Sequence, residues 1–289
     1  MFPVIAKIGP LTLHTFGVTL AVAILVSSWF LTKEARRLGD PQITEEKLQR
    51  LVWYIVLAVV FGGRLMHVIV EYKDYLRRPL HIFAVWEGGL VMYGGLLATF
   101  FTVVMFARKN RMRVTRLCDL IAPAAFLGQS IGRWGCFFAG DDYGKRAAEG
   151  AWYAVRFTHP NSLVPMELRG VPLYPVQIFM SLKALTIFLV LLWITRRKKF
   201  DGQVAGWSFI LYAMLRSVVE LFRGDTDRGF VGPLSTAQFT SLFGFLLGVA
   251  ILWFSPRRML EDDLADAERA VQASAAAKRS RKGSAPTTI

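Results

Sequence analysis

Seven long apolar runs, separated by short polar segments, are the feature that most constrains how this 289-residue chain folds. Each approaches the ~20 residues that an α-helix needs to cross a bilayer. They lie at about residues 14–31, 51–70, 87–107, 117–136, 174–195, 204–222 and 234–254. A soluble core of this size does not require such runs. We therefore predict an all-α, polytopic membrane protein with about seven transmembrane helices in one bundle.

The positions of the basic residues predict the orientation of this bundle. The formal net charge is +14, and the basic clusters at 33–37, 108–116, 196–199 and 257–258 all fall on one side of a seven-span arrangement. The positive-inside rule places that side in the cytoplasm, so the N-terminus is expected outside and the C-terminus inside. Because the clusters are short and lie between apolar runs, they do not indicate a nucleic-acid partner.

Two regions follow from the same pattern. Residues 1–256 form the membrane domain, and its longest polar segment, 137–173, keeps enough apolar residues to predict a small folded extracytoplasmic cap. Residues 257–289 are rich in Ala, Ser, Lys and Arg and are predicted to be a basic, largely disordered cytoplasmic tail. We expect no removable signal peptide, no cofactor and no metal site.

The fourth run ends in glycines, an arginine and an acidic pair, between residues 128 and 146. Arg133 stands where the run is otherwise suited to lipid, and a cation at such depth is tolerated mainly when it faces a partner or a wet cavity. Gly128 and Gly132 have the small-xxx-small spacing that lets a neighbouring helix approach closely. The alternative is a helix end whose arginine extends to the membrane surface, followed by a glycine turn.

The sixth run carries four polar side chains at helical spacing, which predicts one stripe on one helix: Tyr212, Arg216, Glu220 and Arg223. Arg216 and Glu220 can neutralise each other as an i,i+4 pair. Arg133, Arg223 and Arg64 would still need partners, which nearby aspartates or an anionic ligand could supply. Guanidinium groups bind phosphate through paired hydrogen bonds, and phospholipid head groups are the abundant phosphate esters of a membrane.

Polar residues near the second and third runs leave two interpretations open. Arg64, His67 and Glu71 share one helix face, which is either a helix end with local ion pairs or the wall of a polar cavity. Tyr93 lies between paired glycines and is either an interfacial tyrosine or part of a site.

The ordered set of motifs resembles the bacterial prolipoprotein diacylglyceryl transferases over about residues 8–256. The motifs are Ile8-Gly9-Pro10, Gly62-Gly63-Arg64, Val85-Trp86-Glu87-Gly88-Gly89 with Gly94-Gly95, Asp119-Leu120-Ile121-Ala122-Pro123, Gly132-Arg133-x-Gly135-x-Phe137 with Gly140 and Gly144, Tyr174-Pro175-x-Gln177, and Arg216-x-x-x-Glu220-x-x-Arg223. Each motif is weak alone, but the ordered set is specific.

The resemblance implies an enzyme of the bacterial inner membrane that moves the diacylglyceryl group of phosphatidylglycerol to the lipobox cysteine of a prolipoprotein. A thioether forms and glycerol phosphate is released. We predict Arg133, Arg216 and Tyr93 as catalytic residues. The predicted substrate-binding residues are Arg133, Arg223, Glu220, Tyr212, Gly144, Asp141, Gln177 and Arg64. The expected partners are phosphatidylglycerol, the prolipoprotein signal peptide and the membrane, with a monomer as the default.

Departures from the family pattern keep other functions open. Tyr93 stands where the family usually has a histidine proposed as a base, Cys136 replaces an asparagine, Asp141 a glutamate and Phe16 a tyrosine, and Met180 stands where a glutamate is frequent. A phenol is a poorer base than an imidazole at neutral pH, so we expect the arginines to carry most of the catalysis and Tyr93 to position the thiol or lipid. The alternatives are a relative with another acceptor, or a non-enzymatic protein that binds or flips phospholipid.

Overall fold

The computed structural model describes residues 2–8, 11–84, 88–224, 230–231, 234–258 and 261–265. Within these residues the chain is mostly helical. The helices are α1 Thr15–Leu38, α2 Glu45–Val70, α3 Tyr72–Arg77, α4 Met92–Lys109, α5 Val114–Ala139, α6 Val176–Thr195, α7 Gln203–Glu220 and α8 Thr236–Phe254. Single 3-10 turns cover Pro79–Phe83 and Met166–Leu168.

Each predicted run coincides with one long helix, and α3 is a short helix between two of them. By length and composition, α1, α2, α6 and α8 are apolar enough to cross a membrane. The prediction of a helical membrane protein is confirmed at this level. The predicted tail beyond residue 265 and the motif residues 9, 10 and 85–87 lie outside the described residues.

Short antiparallel strand pairs occur outside the helices, which the all-α prediction did not include. Strands β1 Val4–Ile8 and β2 Leu11–His14 form a hairpin before α1. Strand β3 Val155–Arg156 pairs with β4 Pro172–Leu173, and β5 Phe230–Val231 pairs with β6 Leu234–Ser235. Strands of two to five residues are too short for their alternation of apolar and polar residues to be recognised in the sequence.

The first two helices extend beyond the apolar runs because polar residues stabilise their ends. α1 continues to Leu38 and is ended by Gly39, which adopts a left-handed conformation with φ 69°. α2 begins after Thr44, whose side chain accepts a hydrogen bond from the Lys47 backbone. An ion pair between Arg36 and Glu45 then connects the two ends.

The long helices pack mainly in four pairs, some of them distant in sequence: α1 with α5, α2 with α4, α5 with α6, and α7 with α8. Glycines allow two of these contacts. A Cβ at Gly94 of α4 would collide with the Gly62 carbonyl oxygen of α2, and a Cβ at Gly248 of α8 would lie 2.7 Å from the Gly206 carbonyl oxygen of α7. The glycine motifs around 62 and 94 thus bring helix backbones together.

The predicted contact surface of α5 is only half correct. Gly128 packs against Ser27 of α1, as the small-xxx-small spacing suggests, but a Cβ at Gly132 would meet nothing within 4 Å. The second close approach to α1 is at Gly135, which faces Phe16 and Thr19. The contact therefore repeats after seven residues, two helical turns, rather than after four.

Ion pairs, some of them buried, connect several segments at one end of the bundle. We call it the basic end, because the basic clusters at residues 33–37, 108–116, 196–199 and 257–258 lie there. Arg116 at the start of α5 donates to the carboxylates of Asp40, Asp201 and Asp263 at 2.8, 2.8 and 2.6 Å. Arg196 pairs with Glu34 of α1 at 2.9 Å. The end of α1, the start of α5 and the α6–α7 connection therefore meet there.

Asp119 of the Asp119-Leu120-Ile121-Ala122-Pro123 motif has a structural role at the same end. Its carboxylate accepts hydrogen bonds from the backbone N–H groups of Gly202 and Ala205, both at 2.9 Å, and pairs with Lys198 at 3.1 Å. A carboxylate at a helix N-terminus satisfies free N–H groups and opposes the positive end of the helix dipole. This motif therefore anchors the start of α7 to α5.

The segment between α5 and α6 folds around its own small apolar core. Gly140 ends α5 with φ 78°, and the chain then encloses Phe157, Val164 and Leu173. The rings of Tyr153 and Tyr174 stack with centroids 5.2 Å apart, and their hydroxyl groups are hydrogen-bonded at 3.4 Å. The segment is thus a packed unit joined to the end of the bundle opposite the basic end.

Candidate active site

Two arginines from different parts of the chain share one carboxylate at the end of the bundle opposite the basic end. Arg133 lies in the last two turns of α5, Arg223 lies three residues beyond α7, and Asp142 accepts a hydrogen bond from each guanidinium group. Their side chains are 22%, 4% and 10% exposed for Arg133, Arg223 and Asp142. We call Arg133, Arg223 and Asp142 the arginine trio. Each guanidinium group has five N–H donors in a planar arrangement that suits the oxygens of a phosphate.

A sharp turn after α5 directs Asp142 toward the arginines. Gly140 is left-handed, and Asp142 itself has φ 53°, a conformation that aspartate tolerates better than most residues. Asp141, which the sequence predicted as substrate-binding, is exposed and uses its carbonyl oxygen to accept from Gln177 at 2.7 Å. The carboxylate that joins the arginines is therefore that of Asp142, which the sequence offered only as one of several possible partners.

Gly144 explains how Arg223 is held beside this turn. The segment around Gly144 pairs with the segment around Arg223 as an isolated antiparallel bridge, and the Lys145 N–H donates to the Phe222 carbonyl oxygen at 3.0 Å. A Cβ at Gly144 would collide with the carbonyl oxygen of Tyr174. Glycine is therefore required for this close packing, and its role is to place Asp142 and Arg223 side by side.

The predicted stripe on the sixth run is interrupted. α7 ends at Glu220, and the chain turns at Leu221, so Arg223 is not on the same helix as Arg216. The turn occurs because residues 222–224 pair with residues 143–145 instead of continuing the helix. Arg216 is buried and pairs with Glu220 one turn later, which is the intrahelical ion pair that the spacing allowed.

Side chains of α6 and α7 line the same region. Gln177 is fully buried, and its Oε1 has no hydrogen-bond partner among the described residues. Met180 lies one turn further along α6, with its sulfur 3.9 Å from the Arg223 guanidinium. Tyr212 presents its ring to Lys183, whose ammonium is 4.1 Å from the ring centroid. The sequence analysis did not identify Lys183.

Arg64 does not join this group through any described contact. Its guanidinium donates to the carbonyl oxygens of Ile82 at 3.0 Å, of Gly88 at 2.7 Å and of His81. It also lies over the Tyr75 ring, 5.3 Å from the centroid. Arg64 therefore holds the connection between α2 and α4 in place, and its predicted substrate contact stays a prediction.

Tyr93 is at the second position of α4 and is 46% exposed. No hydrogen bond or ion pair joins its hydroxyl group to the arginines in the part of the chain that the structure describes. A catalytic role for Tyr93 therefore requires a bound substrate that contacts both its hydroxyl group and the arginines, and this role stays a prediction.

Cys136 lies next to the arginine trio as a small buried side chain. Its sulfur is 3.8 Å from the Arg133 guanidinium, and ligand atoms of Cys136, Asp141 and Asp142 lie within 4.8 Å of one another. Three such groups could in principle hold a metal ion. However, two guanidinium groups already neutralise the Asp142 carboxylate and repel a cation. The electrostatics favour an anion here.

Taken together, the side chains at this end can bind and polarise a phosphate ester. Arginines in a water-poor site stabilise negative charge strongly, because the low dielectric of the surroundings does not screen it. The arginine trio lies at the end of helices that are apolar over most of their length, so its ligand is expected to reach it from a membrane. These properties fit a phospholipid head group.

Comparison with known proteins shows which family the chain is similar to. A family model described as prolipoprotein diacylglyceryl transferase matches residues 3–254. Three proteins named phosphatidylglycerol–prolipoprotein diacylglyceryl transferase are similar along most of their length. The one from Clostridium perfringens, numbered 2 in its name, is 32% identical over 86% of this chain and 93% of its own. Those from Methylibium petroleiphilum and Bordetella avium are each 33% identical over 89% of this chain, and over 97% and 95% of their own.

The family match covers every helix described above and every element that carries the arginine trio. The matched relatives are themselves covered almost completely, so the similarity is not confined to a fragment of them. The resemblance inferred from the motifs is therefore confirmed, and the chain belongs to the prolipoprotein diacylglyceryl transferase family.

Proposed function

We propose that this protein transfers the diacylglyceryl group of phosphatidylglycerol to the lipobox cysteine of a prolipoprotein, forming a thioether and releasing glycerol phosphate. The observation that carries the proposal is the arginine trio, in which Arg133 and Arg223 share the single carboxylate of Asp142. Family membership supplies the reaction, and the trio supplies the electrostatics that this reaction requires.

The chemistry explains why cations are needed. The cysteine sulfur attacks the glyceryl carbon that carries the phosphate, a C–S bond forms, and the C–O bond to phosphate breaks. The phosphodiester with one negative charge becomes a phosphate monoester with nearly two, and the thiol proton is released. Arginines positioned at the phosphate favour this change, because they stabilise the leaving group more than the bound lipid.

Each residue of the site then has its own role in the reaction. Arg133 and Arg223 bind the phosphate oxygens, and Arg216, whose guanidinium is oriented by Glu220, is the third arginine that acts on the phosphate. A nearby guanidinium group also favours the thiolate form of a cysteine. Tyr93 positions the thiol or the lipid rather than acting as a required base.

We further propose the arrangement in the membrane. The protein is a multi-pass protein of the bacterial inner membrane with seven spans, its N-terminus outside and its C-terminus in the cytoplasm. The packed segment between α5 and α6 is then an extracytoplasmic cap over the site, and the monomer is the functional unit. The clustering of basic residues at one end of the bundle supports this orientation.

The test uses the purified protein in phosphatidylglycerol liposomes with a lipobox peptide, and it follows the mass of the peptide. The wild type is expected to add one diacylglyceryl group. Arg133→Ala should lower the rate about 100-fold or more, as removal of one positioned charge-stabilising donor does in other enzymes. A peptide with serine in place of cysteine should gain no mass.

The same assay separates the alternatives. Tyr93→Phe should keep nearly full turnover, and a large loss would instead assign the phenol a required catalytic role. If folded wild-type protein binds the lipid but modifies no lipobox peptide, the proposed reaction is wrong. A different acceptor, or binding and flipping of phospholipid without transfer, would then be the remaining explanations.

A further inference from the structure

Lys183 is a buried cation within α6 that the roles described so far do not use. It is the only Lys, Arg, Asp or Glu between Val176 and Thr195, and it is 7% exposed. Its ammonium group lies over the Tyr212 ring, 4.1 Å from the centroid. In the described parts of the chain, no carboxylate forms an ion pair with it. A lysine in such a position is costly unless a partner or ligand compensates its charge.

The position of Lys183 on α6 points it toward the site. Met180, one turn earlier on the same face, contacts the guanidinium of Arg223. Tyr212, which receives the ammonium, lies one turn before Arg216 on α7. The positive charges of Arg216, Arg133 and Arg223 all lie close enough to repel that of Lys183.

The carboxylates nearest to the arginines are occupied by those arginines. Among the described residues, Asp142 pairs with Arg133 and Arg223, and Glu220 pairs with Arg216. Lys183 forms no ion pair with either carboxylate, so its buried charge is left for a ligand to compensate. A phosphate group bound by the arginines would supply that negative charge, and its charge grows when the phosphodiester becomes a phosphate monoester.

We propose that Lys183 is a phosphate-binding residue whose ammonium group contacts the head-group phosphate and holds the glycerol phosphate as it leaves. The proposal rests on the proposed function and adds a fourth cation to the site. The bonds that form and break are those described above. With the phosphate bound, Lys183 is protonated and transfers no proton in the reaction, and its effect grows as the phosphate gains its second negative charge.

The Tyr212 ring explains why a lysine suits this position. A cation over an aromatic face is stabilised without neutralisation, so the ammonium group remains available for a ligand. Its three N–H donors can reorient toward a moving phosphate, whereas a guanidinium has a fixed planar geometry. Tyr212, predicted as substrate-binding from the sequence, then acts by positioning Lys183.

The variants are Lys183→Met, Lys183→Arg and the control Lys33→Met. Lys33 also lies over an aromatic ring, that of Trp29, but near the basic end of α1, far from the site. Three quantities are measured: turnover of the lipobox peptide in liposomes, its inhibition by glycerol phosphate, and the rise in Tm that glycerol phosphate causes in detergent.

Lys183→Met should lower kcat about tenfold or more and weaken inhibition by glycerol phosphate by about the same factor, with a smaller ligand-induced rise in Tm. Its Tm without ligand should stay equal or increase, because an unpaired buried charge is replaced by an apolar side chain of similar length. Lys183→Arg should recover part of the turnover, and Lys33→Met should behave as the wild type.

Three results would overturn the proposal. One is unchanged product inhibition in Lys183→Met. Another is a lower Tm without ligand, which would make Lys183 a structural residue. The third is a Lys183→Arg variant as inactive as Lys183→Met with product inhibition retained, which would indicate a proton-transfer role. If the wild type adds no diacylglyceryl group, the proposed function fails, while the Tm shift with glycerol phosphate still tests the anion site.

Discussion

At the scale of single residues, Asp142 organises the site because one carboxylate holds two guanidinium groups that otherwise repel each other. Asp142→Asn keeps the shape but removes the charge, so Arg133 and Arg223 should move apart. We expect turnover of the lipobox peptide to fall by about tenfold or more, since a displacement of about 1 Å in a positioned group can cost up to 100-fold. The liposome assay measures this directly.

Two further variants make the Asp142 prediction specific. Asp141→Asn should cost less than Asp142→Asn, because the substitution retains the backbone carbonyl that accepts from Gln177, and the asparagine Oδ1 can still accept from the Asp142 backbone N–H. Glu149→Gln, which alters an exposed acid in the segment between α5 and α6, should leave turnover unchanged. Equal losses in Asp141→Asn and Asp142→Asn would show that the arginines do not depend on the bridging carboxylate.

The residues around Asp142 also show how much of the site can be predicted from the sequence. An arginine in an apolar run next to an acidic pair predicts a polar site, but it does not tell which acid pairs with the arginine. That choice depends on the left-handed turn at 140–142, whose geometry is set by packing. Lys183 is visible in the sequence as a lone charge in the fifth run. That it lies at the site cannot be predicted, because this depends on its contact with the ring of Tyr212 on another helix.

At the scale of elements, the site depends on the pairing of residues 143–145 with residues 222–224. Gly144→Ala should disrupt this pairing, because the new Cβ would collide with the Tyr174 carbonyl oxygen, a backbone atom that cannot rotate away. The displacement reaches Asp142 and Arg223 together, so turnover should fall about tenfold or more. The helical content by circular dichroism should remain that of the wild type.

The control for Gly144→Ala is Gly244→Ala in α8. A Cβ at Gly244 meets nothing within 4 Å, and alanine is the better helix former. This variant should retain full activity. Wild-type turnover in Gly144→Ala would mean that the segment can shift without moving the arginines, contrary to the packing described above.

Long elements were the most predictable part of this fold. An apolar run with charged ends predicts a helix by itself, and each of the long helices coincides with such a run. The end of α7 was not predictable, because helical spacing continues through Arg223 in the sequence. What ends the helix is a competing partner, the 143–145 segment, which is about 80 residues away along the chain.

At the scale of the whole molecule, the basic clusters and the arginine site define two ends of one bundle. The buried contacts of Arg116 with Asp40, Asp201 and Asp263 bring distant polar segments to the basic end. The arginine trio and the packed segment between α5 and α6 are at the far end of α5. The alternation of basic and less basic connections made this separation predictable, since successive helices reverse direction.

The orientation of these ends can be tested by labelling single cysteines in intact cells. Cys118 and Cys136 are first replaced by alanine. One cysteine is then introduced at Trp152, between α5 and α6, or at Gln42, between α1 and α2, and both positions are exposed. The positive-inside rule places Gln42 in the cytoplasm. A membrane-impermeant maleimide should therefore label Trp152→Cys in intact cells, and Gln42→Cys only after the membrane is permeabilised. The reverse pattern would place the basic end outside. It would also put the arginine site on the cytoplasmic side, where a substrate cysteine must then be presented from within the cell.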